Sequence, residues 1–175
     1  MNDRHTLAVL VENRPGVLTR IAGMFARRAY NIHSLAVGPT DDEHVSRLTI
    51  VVGAEAVQLE QIIKQLNKLV HVLKIVELDD EESVERELQL IKVTADGHTR
   101  SQIIELADVF RAKIVDVAHD AITIEVAGNP GKLEAMAELL EPYGIRELVR
   151  SGTIAVSRGS RSITDGSKLR MQRVV

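Results

Sequence analysis

Apolar residues recur along this chain with two periods, and both halves of the chain use them in the same order. Alternating or continuous apolar runs predict strands over residues 5–12, 30–38, 44–52 and 70–78. A spacing of i, i+3, i+4, i+7 predicts helices over 16–29 and 55–68. The apolar face predicted for the first helix consists of Leu18, Ile21, Ala22, Phe25, Ala26 and Ala29.

The second half repeats this order. Strands are predicted over 86–95, 112–118, 120–128 and 144–158, the last centred on Ile154 and Val156, and helices over 99–111 and 130–141. The order strand–helix–strand–strand–helix–strand is typical of the ferredoxin-like arrangement, in which two helices cover one face of an antiparallel sheet. We therefore predict an α+β fold with two ferredoxin-like βαββαβ domains in tandem.

The domain boundaries follow from composition. We place the first domain at residues 4–78, an acidic linker at 79–85 and the second domain at 86–159. Residues 160–175 are rich in Ser, Gly and basic side chains and show no apolar period, so we predict a mobile tail.

The first strand, residues 7–11 (LAVLV), is apolar on both faces. A sheet covered by helices on one side should be polar on the other. The pattern therefore predicts that another chain covers the second face or the edge, either a second copy or a larger partner.

Charge and composition exclude several classes of protein. The net charge is −3, so no basic excess indicates nucleic acid or an anionic membrane as the main partner. Aromatic residues make up only 2%, which disfavours base stacking on the sheet. Cysteine is absent, which excludes disulfides and thiol catalysis. The sequence shows neither a signal peptide nor an apolar run of about 20 residues, so we expect a cytoplasmic protein.

No catalytic or metal-binding pattern is found in the sequence. The six histidines are scattered, without the paired spacing of structural zinc sites. Motifs of serine hydrolases, zinc proteases and P-loop proteins are also absent. We expect no catalytic residue, no metal site and no cofactor in this chain.

One turn nevertheless offers chemistry. Residues 13–16 (NRPG) lead from the first strand directly into the first helix, whose initial N–H groups lack intrahelical partners and attract anions. Pro15 fixes the entry angle and Gly16 allows a sharp turn or close approach of a ligand. An ordinary strand–turn–helix connection is the alternative. Asn129-Pro130-Gly131 suggests a second such turn, more weakly, because it is also a common helix start.

Several motifs together resemble a known family. Residues 12–20 (ENRPGVLTR) resemble the signature turn of ACT domains, the small-molecule sensors of amino-acid metabolism. Residues 30–35 (YNIHSL), 64–69 (KQLNKL), 84–88 (VEREL), 150–152 (RSG) and 157–159 (SRG) resemble the small regulatory subunits of acetolactate synthase, also called acetohydroxyacid synthase. The resemblance extends over about residues 4–159.

This resemblance implies a function. The first domain would be an ACT domain that binds an effector and dimerises, and the second a regulatory domain. The partner would be the large catalytic subunit, which carries thiamine diphosphate, magnesium and FAD and makes acetolactate or acetohydroxybutyrate for valine, leucine and isoleucine synthesis. The small subunit would activate it and confer feedback inhibition by valine or a related amino acid.

The resemblance also implies a site, with the turn of one chain facing the start of the second strand of another. The effector carboxylate would meet the backbone N–H groups of Gly16, Val17 and Leu18. The amides of Asn13 and Asn31 would contact its polar groups. The apolar wall would consist of Val17, Leu18 and Ile32. His33 departs from the family, in which an acid is frequent here; it either faces solvent or alters effector affinity as a cation.

Two other functions remain open from the residues alone. A free-standing ACT-type sensor that regulates another enzyme or transcription would have the same fold, although no helix-turn-helix or basic arm is found. An enzyme in its own right is the third reading, which the lack of an acid–base or nucleophile set disfavours.

Overall fold

The computed structural model describes residues 4–165, which form two compact units. The N-terminal unit contains residues 4–84 together with 154–165, and the C-terminal unit contains residues 85–153. The N-terminal unit is therefore built from two separate stretches of the chain. The predicted second domain extended to residue 159, whereas the structure places 154–165 with the first sheet.

The N-terminal unit contains a four-stranded antiparallel sheet and two helices. Its elements are β1 (Arg4–Glu12), α1 (Val17–Arg27), β2 (Ile32–Pro39), β3 (Val45–Gly53), α2 (Ala56–Leu66) and β4 (Val72–Leu78). The sheet order is β2-β3-β1-β4, so β2 and β4 lie at the edges. Alternate residues of β1, namely Leu7, Val9 and Val11, pack with the buried faces of both helices in one core.

The C-terminal unit repeats this topology. Its elements are β5 (Ser83–Thr94), α3 (Arg100–Val109), β6 (Lys113–Val117), β7 (Ala121–Gly128), α4 (Pro130–Leu140), a short 3-10 helix (Glu141–Tyr143) and β8 (Ile145–Arg150). The sheet order is β6-β7-β5-β8, which matches the first sheet strand for strand. The two predicted ferredoxin-like arrangements in tandem are confirmed.

The predicted final strand is wrong in detail. The chain forms two strands where one was expected: β8, which pairs with β5, and β9 (Ile154–Ser157), which belongs to the N-terminal unit. Gly152 separates them with a positive φ of 84°. The connection between β4 and β5 is also shorter than the linker predicted over residues 79–85, because β5 begins at Ser83.

The buried face of α1 differs from the predicted one. Val17, Ile21, Met24 and Phe25 are buried. The other members of the predicted face are exposed: Leu18, Ala22 and Ala26 in the helix, and Ala29 beyond its end, where φ is 52°. The helix therefore carries an exposed strip of small and apolar side chains beside its buried face.

The second face of the first sheet is covered by the chain itself. Ala8 and Leu10 of β1 are buried there, in two small apolar clusters that both include Ile163. Residues 154–165, here called the C-terminal segment, provide this cover, whereas the sequence predicted that another chain would do so. Part of the predicted tail is thus packed, and residues 166–175 lie outside the described residues.

Two cations on the sheet hold the C-terminal segment by its backbone. The Arg47 guanidinium donates to the carbonyl of Ala155 at 2.6 Å, and the Lys74 ammonium to that of Asp165 at 2.6 Å. Burial lowers the pKa of Arg47 by desolvation. Because both bonds end on carbonyl oxygens, they do not depend on the side chains of the segment.

No helix within residues 4–165 is long and apolar enough to cross a bilayer.

Candidate functional site

The turn between β1 and α1 exposes unpaired backbone donors. Gly16 is the N-cap residue of α1, in the left-handed conformation with a φ of 84°. The N–H of Val17 donates to the Arg14 carbonyl at a long 3.4 Å, and the first intrahelical bond runs from Arg20 to Gly16 at 3.0 Å. Within residues 4–165, the N–H groups of Gly16, Leu18 and Thr19 have no acceptor. A helix N-terminus in this state can accept a carboxylate.

The helices of the C-terminal unit differ because their own side chains occupy this position. At α4, the Asn129 side chain accepts from the Lys132 N–H at 2.9 Å. The second turn suggested by the sequence is therefore an ordinary capped helix start.

At α3, an aspartate binds the turn that leads into the helix. The Asp96 carboxylate accepts from the N–H groups of Thr99 and His98, at 2.8 and 2.9 Å, and from the Thr99 hydroxyl at 2.9 Å. These bonds, chiefly those from Thr99, lower the pKa of Asp96. An internal carboxylate thus binds backbone donors just before α3, whereas the donors of Gly16, Leu18 and Thr19 at α1 have no acceptor within residues 4–165.

Asn13 ties the turn to the neighbouring hairpin. Its backbone N–H donates to the His44 carbonyl at 2.7 Å, and its side-chain amide to the Glu43 carbonyl at 2.9 Å. The amide oxygen of Asn13 has no donor among the described residues, so it can accept from an ammonium group. Asn13 is both a turn residue and an exposed acceptor.

The two predicted wall residues of α1 point in different directions. The side chain of Val17, which the sequence predicts as part of the apolar wall, is 5% exposed and packs in the core. Leu18 is 42% exposed and is available for contact. The position of the helix start distinguishes the buried Val17 from the exposed Leu18. The sequence pattern placed that start at residue 16, whereas α1 begins at Val17.

The structure separates the two halves of the predicted site within one chain. Glu12, next to the turn, pairs with Val45, whereas Ile32 pairs with Val52. Seven residues along β3, at about 3.4 Å each, place Asn31 and Ile32 about 24 Å from Asn13 and Gly16. One amino acid cannot span that distance. Asn31 and His33 are exposed at the start of β2, an edge strand of this sheet.

No metal centre is found in the part of the chain that the structure describes, since no three His, Asp or Glu side chains come together there. The histidines are used singly: His5 contacts Glu77 and His71 contacts Glu12, each at 3.0 Å.

Comparisons with known proteins give one consistent result. Residues 86–159 match the family described as the small subunit of acetolactate synthase, and residues 7–74 match the ACT domain of small subunits of acetohydroxyacid synthase. The acetolactate synthase small subunit of Mycobacterium bovis is 59% identical over 159 residues, which cover 91% of this chain and 95% of the relative. That of Mycolicibacterium smegmatis is also 59% identical and covers 91% of this chain and 94% of the relative.

A solved structure agrees. The crystal structure of the acetolactate synthase small subunit from Thermotoga maritima superimposes with a TM-score of 0.83 at 40% identity, and the match covers 91% of this chain and 99% of that one. The motifs that suggested a resemblance thus lie within two family matches, one in each half of the chain.

Proposed function

Because this chain belongs to the acetolactate synthase small-subunit family, we propose that it activates the large catalytic subunit and makes it sensitive to feedback inhibition by valine or a related branched-chain amino acid. The chain supplies no catalysis of its own. Thiamine diphosphate, magnesium and FAD are expected on the catalytic partner, which makes the acetolactate. The observation that carries the proposal is the uncapped start of α1 in the family's ACT domain.

The effector carboxylate binds the free N–H groups of Gly16, Leu18 and Thr19, where the helix dipole adds to the attraction. Its ammonium group donates to the amide oxygen of Asn13. Leu18 contacts the aliphatic side chain of the effector, and in this arrangement Val17 only anchors the helix in the core.

A second copy completes the site. Asn31 and Ile32 lie about 24 Å from the turn of their own chain, so they contact the effector only across an interface. A two-fold axis brings the turn of each copy against the start of β2 in the other and makes two equivalent sites. The surface for this contact is the edge strand β2 with the exposed strip of α1, namely Leu18, Ala22 and Ala26, and Ala29 just after the helix.

Regulation follows by linkage. The effector favours one arrangement of the paired domains, and the catalytic subunit favours another. A coupling of about 1–3 kcal/mol between the two ligands gives a 5- to 150-fold change in apparent affinity. Valine differs from leucine and from isoleucine by one methylene, which such a pocket distinguishes by only about 1–3 kcal/mol.

The first test is reconstitution with the large subunit encoded in the same genome. We expect this chain to raise the rate of acetolactate formation and valine to reverse the rise. An unchanged rate would refute activation. If calorimetry then still detected valine binding, a free-standing sensor with another target would become the better description.

The second test is Gly16→Asp. A β-carbon at Gly16 meets no atom within 4 Å, so the only local cost is the left-handed backbone, about 1–2 kcal/mol. The new carboxylate lies beside the free N–H groups and repels that of the effector. We expect activation to persist and valine inhibition to be lost.

Gly131→Asp is the matched control. It places the same charge near the start of α4, also in open space, where Asn129 already caps the helix. Its response to valine should equal that of the unmodified chain. Normal valine inhibition in Gly16→Asp, or its loss in both variants, would count against the site.

A further inference from the structure

A buried carboxylate joins the effector turn to β4. Glu12, whose side chain is 11% exposed, forms an ion pair through Oε2 with Nε of Arg14 at 3.2 Å, and the same oxygen accepts a hydrogen bond from Nδ1 of His71 at 3.0 Å. The Glu12 backbone N–H also donates to the His71 carbonyl at 3.0 Å. One oxygen thus binds a side chain from the turn and a side chain next to β4.

These bonds complete the attachment of the turn. On one side, Asn13 bonds twice to the hairpin at Glu43 and His44. On the other side, Arg14 is held through Glu12, and its backbone N–H donates to the Glu12 carbonyl at 3.0 Å. Gly16 would otherwise allow this turn many conformations, because glycine restricts the backbone least. The network therefore limits the freedom of the segment that presents the free N–H groups.

We propose that Glu12 is a positioning residue for the effector site: it does not touch the effector, but it fixes Arg14 and the turn against His71 so that the donors of α1 are preorganised. This inference rests on the proposed function, since it concerns the same site. A turn that must be ordered during binding weakens affinity by the cost of ordering it. The contact that decides the effect is the Glu12–Arg14 pair.

The same sheet contains a matched control. His5 and Glu77 also join β1 to β4 through Nδ1 and a carboxylate oxygen at 3.0 Å, but at the other end of the strands. Glu77→Gln therefore removes the same charge from the same kind of pair, far from the turn. The two substitutions differ in the contacts that are lost. The Glu12 carboxylate contacts Arg14 of the turn and His71, whereas the Glu77 carboxylate contacts His5.

The experiment measures valine binding to the full-length chain by calorimetry. We expect Glu12→Gln to raise the dissociation constant about tenfold, because glutamine cannot form the ion pair that holds Arg14 and makes only a neutral, weaker hydrogen bond with His71. Glu77→Gln should change it less than about twofold. Arg14→Gln, a substitution of a half-exposed side chain, should reproduce the loss, and adding Glu12→Gln to it should cause little more.

A second readout needs no effector. The N–H groups of Glu12 and Asn13 are bonded to the carbonyls of His71 and His44, so their hydrogen exchange reports the anchoring of the turn. We expect faster exchange in Glu12→Gln and unchanged exchange in Glu77→Gln.

The outcomes separate the two proposals. If the unmodified chain fails to bind valine, the proposed effector is refuted, and the exchange measurement alone decides the role of Glu12. Unchanged or tighter valine binding by Glu12→Gln overturns the positioning role, as does an effect that simply adds to that of Arg14→Gln.

Discussion

Ile163 anchors the C-terminal segment on the first sheet, and its truncation should destabilise only the N-terminal unit. The side chain is partly buried against the clusters around Ala8 and Leu10. Truncating a fully buried isoleucine to alanine costs about 2–5 kcal/mol. For partial burial we take about half, so Ile163→Ala should lower the free energy of unfolding of this unit by about 1–2.5 kcal/mol.

Hydrogen exchange resolves the two units, because peptides from β1 and from β7 report each one separately. In Ile163→Ala, the slowest amides of β1 should exchange faster, and those of β7 should not change. Ile154→Ala is the control: it truncates the same side chain in β9, where it is 59% exposed, and should cost less than about 0.5 kcal/mol. Equal protection of β1 in the two variants would refute the anchoring role of Ile163.

The remaining predictions concern the C-terminal unit. Asp96→Ala should lower the thermal midpoint of this unit at neutral pH, because the turn before α3 loses the carboxylate that binds the N–H groups of His98 and Thr99. Because the pKa of Asp96 is lowered in the folded state, its contribution to stability is complete above the ordinary aspartate pKa of about 3.9 and is lost as the pH falls through the lowered value. The thermal midpoints of the variant and the parent should therefore converge in acid. A difference that stays constant with pH would contradict this. Leu133→Ala, in the core of the unit, should lower its free energy of unfolding by about 2–5 kcal/mol, measured by hydrogen exchange of β7. The affinity for valine should not change. Weaker valine binding would show that the units depend on each other.

The sequence predicted the order of elements and the fold class, because nearly every element carries an apolar period of its own. The face of α1 was harder to assign. Two candidate stripes share Ile21 and Phe25, and the choice between Val17 with Met24 and Leu18 with the alanines depends on how the helix lies on the sheet. Alanine fits either side, so hydrophobicity alone does not decide.

The end of the chain was assigned incorrectly for a related reason. The prediction centred on Ile154 and Val156 because they are apolar, but these residues form the short β9, whereas the strand that pairs with β5 over residues 89–93 is the charged IRELVR of β8. An edge strand exposed to solvent needs few apolar residues. The cover over Ala8 and Leu10 was equally hidden, since only the fold brings residue 163 back to β1.

The candidate site could be predicted in part. The residues around Gly16 form one continuous motif, ENRPGVLTR, and the apolar pattern that follows it places this turn at the start of a helix. Local sequence could not show that Asn129 caps α4 and that Asp96 binds the turn before α3 while no side chain caps α1, because such bonds depend on the angle at which each side chain meets the helix. Nor could it show that Asn31 lies at the opposite end of the sheet from Asn13.

The two-part construction of the N-terminal unit has a consequence for protein synthesis. About 80 residues separate the end of its first stretch from Ile163, and at about 5–20 residues per second a ribosome needs about 4–16 s to make them. Throughout this interval the first sheet exists without its cover, with Ala8 and Leu10 facing the solvent. The unit that begins to fold first is therefore completed last, and the nascent chain passes through a stage in which an apolar sheet face is open to chaperones and to neighbouring chains.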